Sequence, residues 1–310
     1  MTDVPTVPLP SGVLLMDGGM GQELARHGAD NSAPLWSARA LIDNPDLVLR
    51  VHRDYLAAGA KLLLTNTYAS TRVRLETAGM IDRLVELNVL ACDLARRARD
   101  EAGAAGADVL IAGSLPPMHG SYSADAVQPF AEIEPMFREQ AEILAPHVDL
   151  FICETMSTAE EGRAGATGTC SAGKPVWVSW TLVDDGRPLL RSGETIAQAH
   201  AAIADLPVSG FLANCSAPES ISTAMPEIVG VSDFPVGGYA NGFNPVPKDW
   251  VSGVEAGPAS LTETVGIRED ITPDAYADIA QTWIDAGARL IGGCCHIGPD
   301  HIGRLAERLN

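Results

Sequence analysis

The segment ARLIGGCCH, Ala288 to His296, holds in nine residues the unit on which the whole chain is built. Ala288-Arg289-Leu290-Ile291 reads as a short buried strand, Gly292 and Gly293 permit a bend, and Pro299 to Leu309 reads as a helix. Cys294 and Cys295 are set where the strand gives out. Neighbouring strand residues point to opposite faces, so this pair can serve one metal only if the strand ends and bends there. Two thiols do not complete a metal site, and a further ligand has to come from elsewhere in the chain.

Working outward, the same unit recurs: a short apolar run, an end rich in Gly, Asn, Ser or Cys, then a longer amphipathic segment. Eight runs read as strands: Val13–Asp17, Lys61–Thr65, Val109–Gly113, Leu150–Glu154, Val176–Trp180, Gly210–Asn214, Pro235–Gly238 and Arg289–Gly292. Helical patterns lie between them, among them Pro45–Ala58, Ile81–Glu101, Phe130–Pro146, Thr195–Leu206 and Asp274–Ala286. Near-continuous apolar strands alternating with helices indicate a parallel sheet covered by helices, and eight units favour an α/β fold of the (β/α)8 TIM-barrel type in a single domain. Residues 1–12, with three prolines, read as an N-terminal arm, and 13–310 as the barrel. The segment around Ser157–Ala172 reads as a weak, glycine-rich helix, and Ala240–Gly266 as a long loop, which is often functional.

Composition narrows the class. At 310 residues, 46% hydrophobic and 20% charged, the chain is ordinary globular protein. A net charge of −19 argues against nucleic acid or an anionic membrane surface as a partner. No apolar run approaches the roughly 20 residues of a membrane span, and the N-terminus lacks the basic and apolar regions of a signal peptide. Six cysteines are too sparse for a disulfide scaffold at this length, so reduced thiols in a cytoplasmic protein are the expectation. The sequence has no GxGxxG or Walker-type loop.

In such a barrel the active site is built at the C-terminal ends of the strands. The predicted ends carry Asp17-Gly18-Gly19, Thr65-Asn66-Thr67-Tyr68, Ser114, Cys153-Glu154-Thr155, Asn214-Cys215-Ser216, Tyr239 and Cys294-Cys295-His296. Cys215 ends strand six and the cysteine pair ends strand eight, so three sulfurs can reach one point, an arrangement suited to Zn²⁺ with one open position. Cys92, Cys153 and Cys170 read instead as small buried hydrophobes.

These residues carry a resemblance. DGGMGQEL (Asp17–Leu24), TNTY (Thr65–Tyr68), ET (Glu154-Thr155), ANCS (Ala213–Ser216) and GGCC (Gly292–Cys295), in this order, resemble the homocysteine S-methyltransferase family over nearly the whole chain. The resemblance implies one Zn²⁺ per chain held by Cys215, Cys294 and Cys295, and a substrate thiol deprotonated by coordination. It further implies that Glu154 holds the ammonium group of homocysteine. Asp17 is a second choice, with helix capping as its structural alternative, and the backbone of Gly18 and the Thr65 segment would donate to the carboxylate. Asn214 reads either as support for the thiolate or substrate or as a strand-end cap. His296 departs from the family's glycine and reads as a further ligand, a substrate donor or a packing residue. The remaining histidines, His52 among them, read as solvated.

The expected reaction is methylation of homocysteine to methionine by a sulfonium donor, S-methylmethionine or S-adenosylmethionine, in a monomer or small homo-oligomer. Betaine or another onium donor, with a thiol or selenol acceptor, is the alternative within the family. Trp180, Tyr68, Tyr122, Tyr239 and Phe243 are the aromatics near strand ends that could face a cationic donor. Two other classes compete: a zinc-binding protein without turnover, and a metal-free aldolase-type barrel. The chain's lysines, at 61, 174 and 248, offer the latter no strand-end candidate.

Overall fold

The computed structural model describes residues 4–248, 250, 252–253 and 261–309. All eight expected strands are present: β1 Leu14–Leu15, β2 Leu62–Leu64, β3 Leu110–Leu115, β4 Leu150–Met156, β5 Val176–Trp180, β6 Gly210–Asn214, β7 Val236–Ala240 and β8 Leu290–Gly293. They are paired in parallel from β2 through to β8 and on to β1. A bridge between Met16 and Leu62 brings the two edges together, with Lys61 N–H donating to Leu15 at 2.7 Å and Asp17 N–H to Leu62 at 2.9 Å. The result is a (β/α)8 barrel, as the repeat predicted.

Strand periodicity sorts the core into two layers. Leu14, Met16, Leu62, Ala112, Leu150, Ile152, Trp177, Leu212, Tyr239 and Leu290 form one buried cluster, while alternate positions such as Leu15, Leu63, Ile111, Phe151, Val178 and Phe211 pack into a second cluster with the helices. Val7 and Leu9 of the N-terminal arm pack against the first of these clusters.

The helices start where side-chain caps allow. Asn44 caps Pro45–Ala57, Thr158 caps Ala159–Cys170, Thr195 forms a capping box with Gln198 on Ile196–Ile203, and Thr272 caps Pro273–Ala286. The expected weak helix is a full twelve residues, Ala159–Cys170. Its glycines serve packing: a Cβ on Gly162 would meet the Trp180 ring at 2.1 Å, and one on Gly168 would meet Glu134 O at 2.6 Å. Tertiary approach thus outweighs the low helix propensity of glycine. In the loop after β7, Ser252–Gly253 pairs antiparallel to Gly120–Ser121 from the loop after β3, and Leu261–Val265 is helical. Its residues 254–260 lie outside the described ones.

His52 departs from the solvated reading. It is fully buried in Pro45–Ala57, neither ring nitrogen has a hydrogen-bond partner among the described residues, and burial pushes its pKa down to about 3. The unfolded chain takes up this proton near pH 6.5 and the folded chain does not, so stability is present above about 6.5 and is lost as pH falls toward 3, by about 1.4 kcal/mol per pH unit. Urea melts at pH 7, 6 and 5 on wild type and His52→Leu should differ by that slope, the subtraction cancelling the buried carboxyls Asp17, Glu154 and Glu161, whose raised pKa values slope stability the other way. An unchanged slope would mean that the ring finds solvent.

Candidate metal centre and acidic pocket

β8 stops at Gly293, and Cys294 to Ile297 form a turn in which Ile297 N–H donates to Cys294 O at 3.0 Å. The bend expected from the glycine pair is therefore real, and it faces both thiols the same way. Gly18 and Gly19 make room for it: a Cβ on Gly18 would lie 2.1 Å from Ile297 O, and one on Gly19 would lie 2.6 Å from Cys294 O. On β6 the strand ends at Asn214, and Cys215 turns into the left-handed region, φ 51°.

The sulfurs of Cys215, Cys294 and Cys295 converge within 4.8 Å of one another. Cys294 donates to the Cys215 sulfur at 2.9 Å. Tetrahedral Zn²⁺ with sulfur at about 2.3 Å needs thiolates roughly 3.8 Å apart, so the donor set fits with a small outward shift. Hydrogen bonds from Cys294, Cys295 and Tyr122 hold the Cys215 thiol well below its usual pKa, and sharing with Cys215 pushes Cys294 and Cys295 well above theirs. The cluster as it stands is one thiolate sharing the protons of two thiols, and a cation placed among the sulfurs would favour losing those protons.

His296 stands outside the sulfur cluster. Its backbone is left-handed, φ 62°, its ring packs edge-on against Phe243 at 4.8 Å, and Nε2 meets Thr262 Oγ1 at 3.0 Å. It joins the cysteine turn to the loop after β7.

Glu154 lies on an irregularity of β4, where the register with β5 shifts between Cys153 and Met156. Bulges of this kind re-aim a side chain. Its carboxylate accepts from Ser114 Oγ and from Tyr239 Oη, the latter at 3.2 Å, and burial raises its pKa to about 7, with the Cys215 charge adding to the rise. Asn214 braces the irregularity: its Oδ1 accepts from Thr155 N–H at 2.9 Å and Ser179 Oγ at 2.8 Å, and its Nδ2 donates to Thr155 Oγ1 at 2.9 Å. Asn214 therefore shapes the strand end that carries Glu154.

Asp17 caps no helix. Its Oδ2 accepts from Leu64 N–H at 2.9 Å, and burial, with repulsion from Glu154, holds its carboxyl well above the usual range. Asp17 and Glu154 are thus two buried carboxyls, each raised chiefly by burial, whose charged forms a cation would stabilise. Thr65 Oγ1 accepts from Ser114 N–H at 3.2 Å and meets Thr67 Oγ1 at 2.8 Å, tying the ends of β2 and β3. Of the cysteines read as packing, Cys92 and Cys153 are fully buried and Cys170 partly so.

Sequence reasoning missed the partners of this site. Ser114 and Tyr239 hold Glu154, and their inward positions near the ends of β3 and β7 were the available signal. Tyr122, read from the sequence only as an aromatic that could face a cationic donor, places its Oη 2.8 Å from the Cys215 sulfur.

An eight-stranded barrel with convergent thiols and a buried acidic pocket among the residues at its C-terminal strand ends is the architecture of a barrel enzyme. Residues 14–309 match the homocysteine S-methyltransferase family. A homocysteine S-methyltransferase of Escherichia coli (strain K12) is 32% identical over 96% of this chain and 95% of its own. A selenocysteine Se-methyltransferase of Brassica oleracea var. italica is 29% identical over 96% and 89%. The crystal structure of the homocysteine methyltransferase MmuM from Escherichia coli in its metallated form superimposes with a TM-score of 0.80 at 29% identity, covering 96% of both chains. The chain belongs to the homocysteine S-methyltransferase family, and is a methyltransferase. No helix among the described residues is long and apolar enough to cross a membrane.

Proposed function

We propose that this chain transfers a methyl group from a sulfonium donor, S-methylmethionine or S-adenosylmethionine, to the thiol of homocysteine, giving methionine. The observation that carries the reading is the convergence of Cys215, Cys294 and Cys295 beside Glu154, one polar device for each end of homocysteine. The three cysteines would hold one Zn²⁺. Bound there, it would supply the Lewis acidity that keeps a substrate thiol deprotonated at neutral pH, where a free thiol of pKa about 8.5 is mostly protonated.

The chain's own groups do the rest. Glu154, fixed by Ser114 and Tyr239, would accept the substrate ammonium, and Asp17 would add negative potential from across the mouth. Tyr122, Phe243, Val246 and Trp250 pack around the cysteines and keep the reacting sulfur apart from water. Holding both substrates in line supplies about 7–11 kcal/mol relative to their bimolecular encounter. The similarity to a selenocysteine Se-methyltransferase gives a second reading, in which a selenol is the acceptor.

The test is a matrix of donors and acceptors with zinc-loaded protein: S-methylmethionine, S-adenosylmethionine and betaine against homocysteine and selenocysteine. Methionine from homocysteine and a sulfonium donor is expected. Zinc bound without product from any pair would sink the reading and favour a zinc-binding protein without turnover.

A further inference from the structure

Above the sulfur cluster, the loop after β5 carries a buried hub. Arg191 is 1% exposed and donates from Nη1 to Val246 O at 3.0 Å, from Nη2 to Pro247 O at 2.5 Å and from Nε to Tyr122 O at 3.4 Å. Its guanidinium also lies over the Tyr122 ring, 5.4 Å from the centroid. On the same loop Asp184 accepts from Ala217 N–H at 2.7 Å and from Val246 N–H at 3.0 Å. The loops after β3, β6 and β7 are thereby tied to one point beside Cys215.

Tyr122 takes an unusual conformation there. Its backbone is left-handed, φ 66°, which a bulky residue adopts only when its surroundings impose it. Trp250 meets its ring edge-on at 5.6 Å. The outcome of this constraint is the 2.8 Å contact between the phenol and the Cys215 sulfur.

We infer that Tyr122 is a positioning residue of the metal centre: its phenol donates a hydrogen bond to the Cys215 thiolate, and Arg191 holds it in place to do so. The inference rests on the metal reading above. A donor on a thiolate withdraws electron density from the sulfur, disfavours its protonation and fixes the direction of its lone pairs. The backbone of Cys215 is held by Tyr239 O at 3.1 Å and Thr181 Oγ1 at 3.3 Å, and Tyr122 is the side chain outside the thiol cluster that meets its sulfur.

The experiment compares wild type with Tyr122→Phe, which keeps the ring under Arg191 and Trp250 and removes only the hydroxyl. Zinc affinity is read by competition with a chromophoric chelator, and the site by the sulfur-to-metal charge-transfer band of the Co²⁺-loaded protein. Tyr122→Phe should weaken zinc binding about 10- to 100-fold, the usual cost of losing a hydrogen-bond partner of a ligand. The band should move to longer wavelength, because the sulfur lone pairs rise in energy without the donor. Trp250→Leu, which loosens packing and keeps the phenol, should leave the band in place. Arg191→Lys, which keeps the charge and loses the fork, should shift it less in the same direction, and it carries the test if the Phe variant does not fold. Unchanged affinity and an unmoved band in Tyr122→Phe, or the same band shift in Trp250→Leu, would reduce Tyr122 to packing. A wild-type protein that binds neither ion overturns the metal reading and this inference with it, a result distinct from the first.

Discussion

Cys294→Ser should leave the protein folded but without bound zinc, and methyl transfer to homocysteine should fall below detection. A serine hydroxyl is not deprotonated near neutral pH and is a poor match for a site otherwise made of sulfur. A substrate thiol of pKa about 8.5 is only a few per cent thiolate at pH 7, so that factor alone lowers the rate about thirtyfold. Loss of the substrate's orientation then removes far more. The fold should survive because the turn is carried by backbone bonds, including Cys294 N–H to Ala240 O at 2.8 Å and Gly293 N–H to Asp17 O at 2.9 Å. Metal analysis, a methionine assay and a thermal melt check the three parts separately. Zinc retained with wild-type turnover would rule out the three-sulfur site, and collapse of the fold would point to a structural metal.

Glu154→Gln should raise the KM for homocysteine and lower kcat/KM about thirtyfold or more, the loss expected when one partner of a buried charge pair, worth about 2 kcal/mol at least, is neutralised. Glutamine retains the shape and can still meet Ser114 and Tyr239, so the change isolates charge. The homocysteine analogue lacking its amino group should be used equally well by both proteins. The pH dependence follows from the raised pKa. Below about 7 the carboxyl is protonated and cannot pair with the ammonium, and above it the charge is present. Wild-type kcat/KM should therefore fall as pH drops through about 7, and the Gln variant should lack that limb. An identical limb in both proteins would assign the titration elsewhere.

Both results turn on how side chains are placed, which local sequence reveals unevenly. Strand identity was legible because parallel strands buried on both faces read as apolar runs, and the eight runs, from Val13–Asp17 to Arg289–Gly292, correspond to β1 through β8. The helix Ala159–Cys170 was harder, since the glycines that lower its propensity are the ones that admit Trp180 and the neighbouring helix Phe130–Leu144. Nothing local distinguishes a helix-weakening glycine from a close-packing one.

What the sequence by itself determined is the barrel and the residue types at its rim, because hydrophobic period and strand-end composition are properties of contiguous residues. It also marked Cys215, Cys294 and Cys295 as a set, since the strand count alone brings their ends to one side. Only the tertiary structure decided which groups Asn214, Thr65, His296 and Tyr122 meet. Each of these acts through a partner 30 or more residues away, Thr155 for Asn214, Ser114 for Thr65, Thr262 for His296 and Cys215 for Tyr122. Hydrogen bonds between strand ends and loops depend on distances of a few tenths of an ångström, and those are set by the closed barrel and the packing around it. Local pattern carries no record of them.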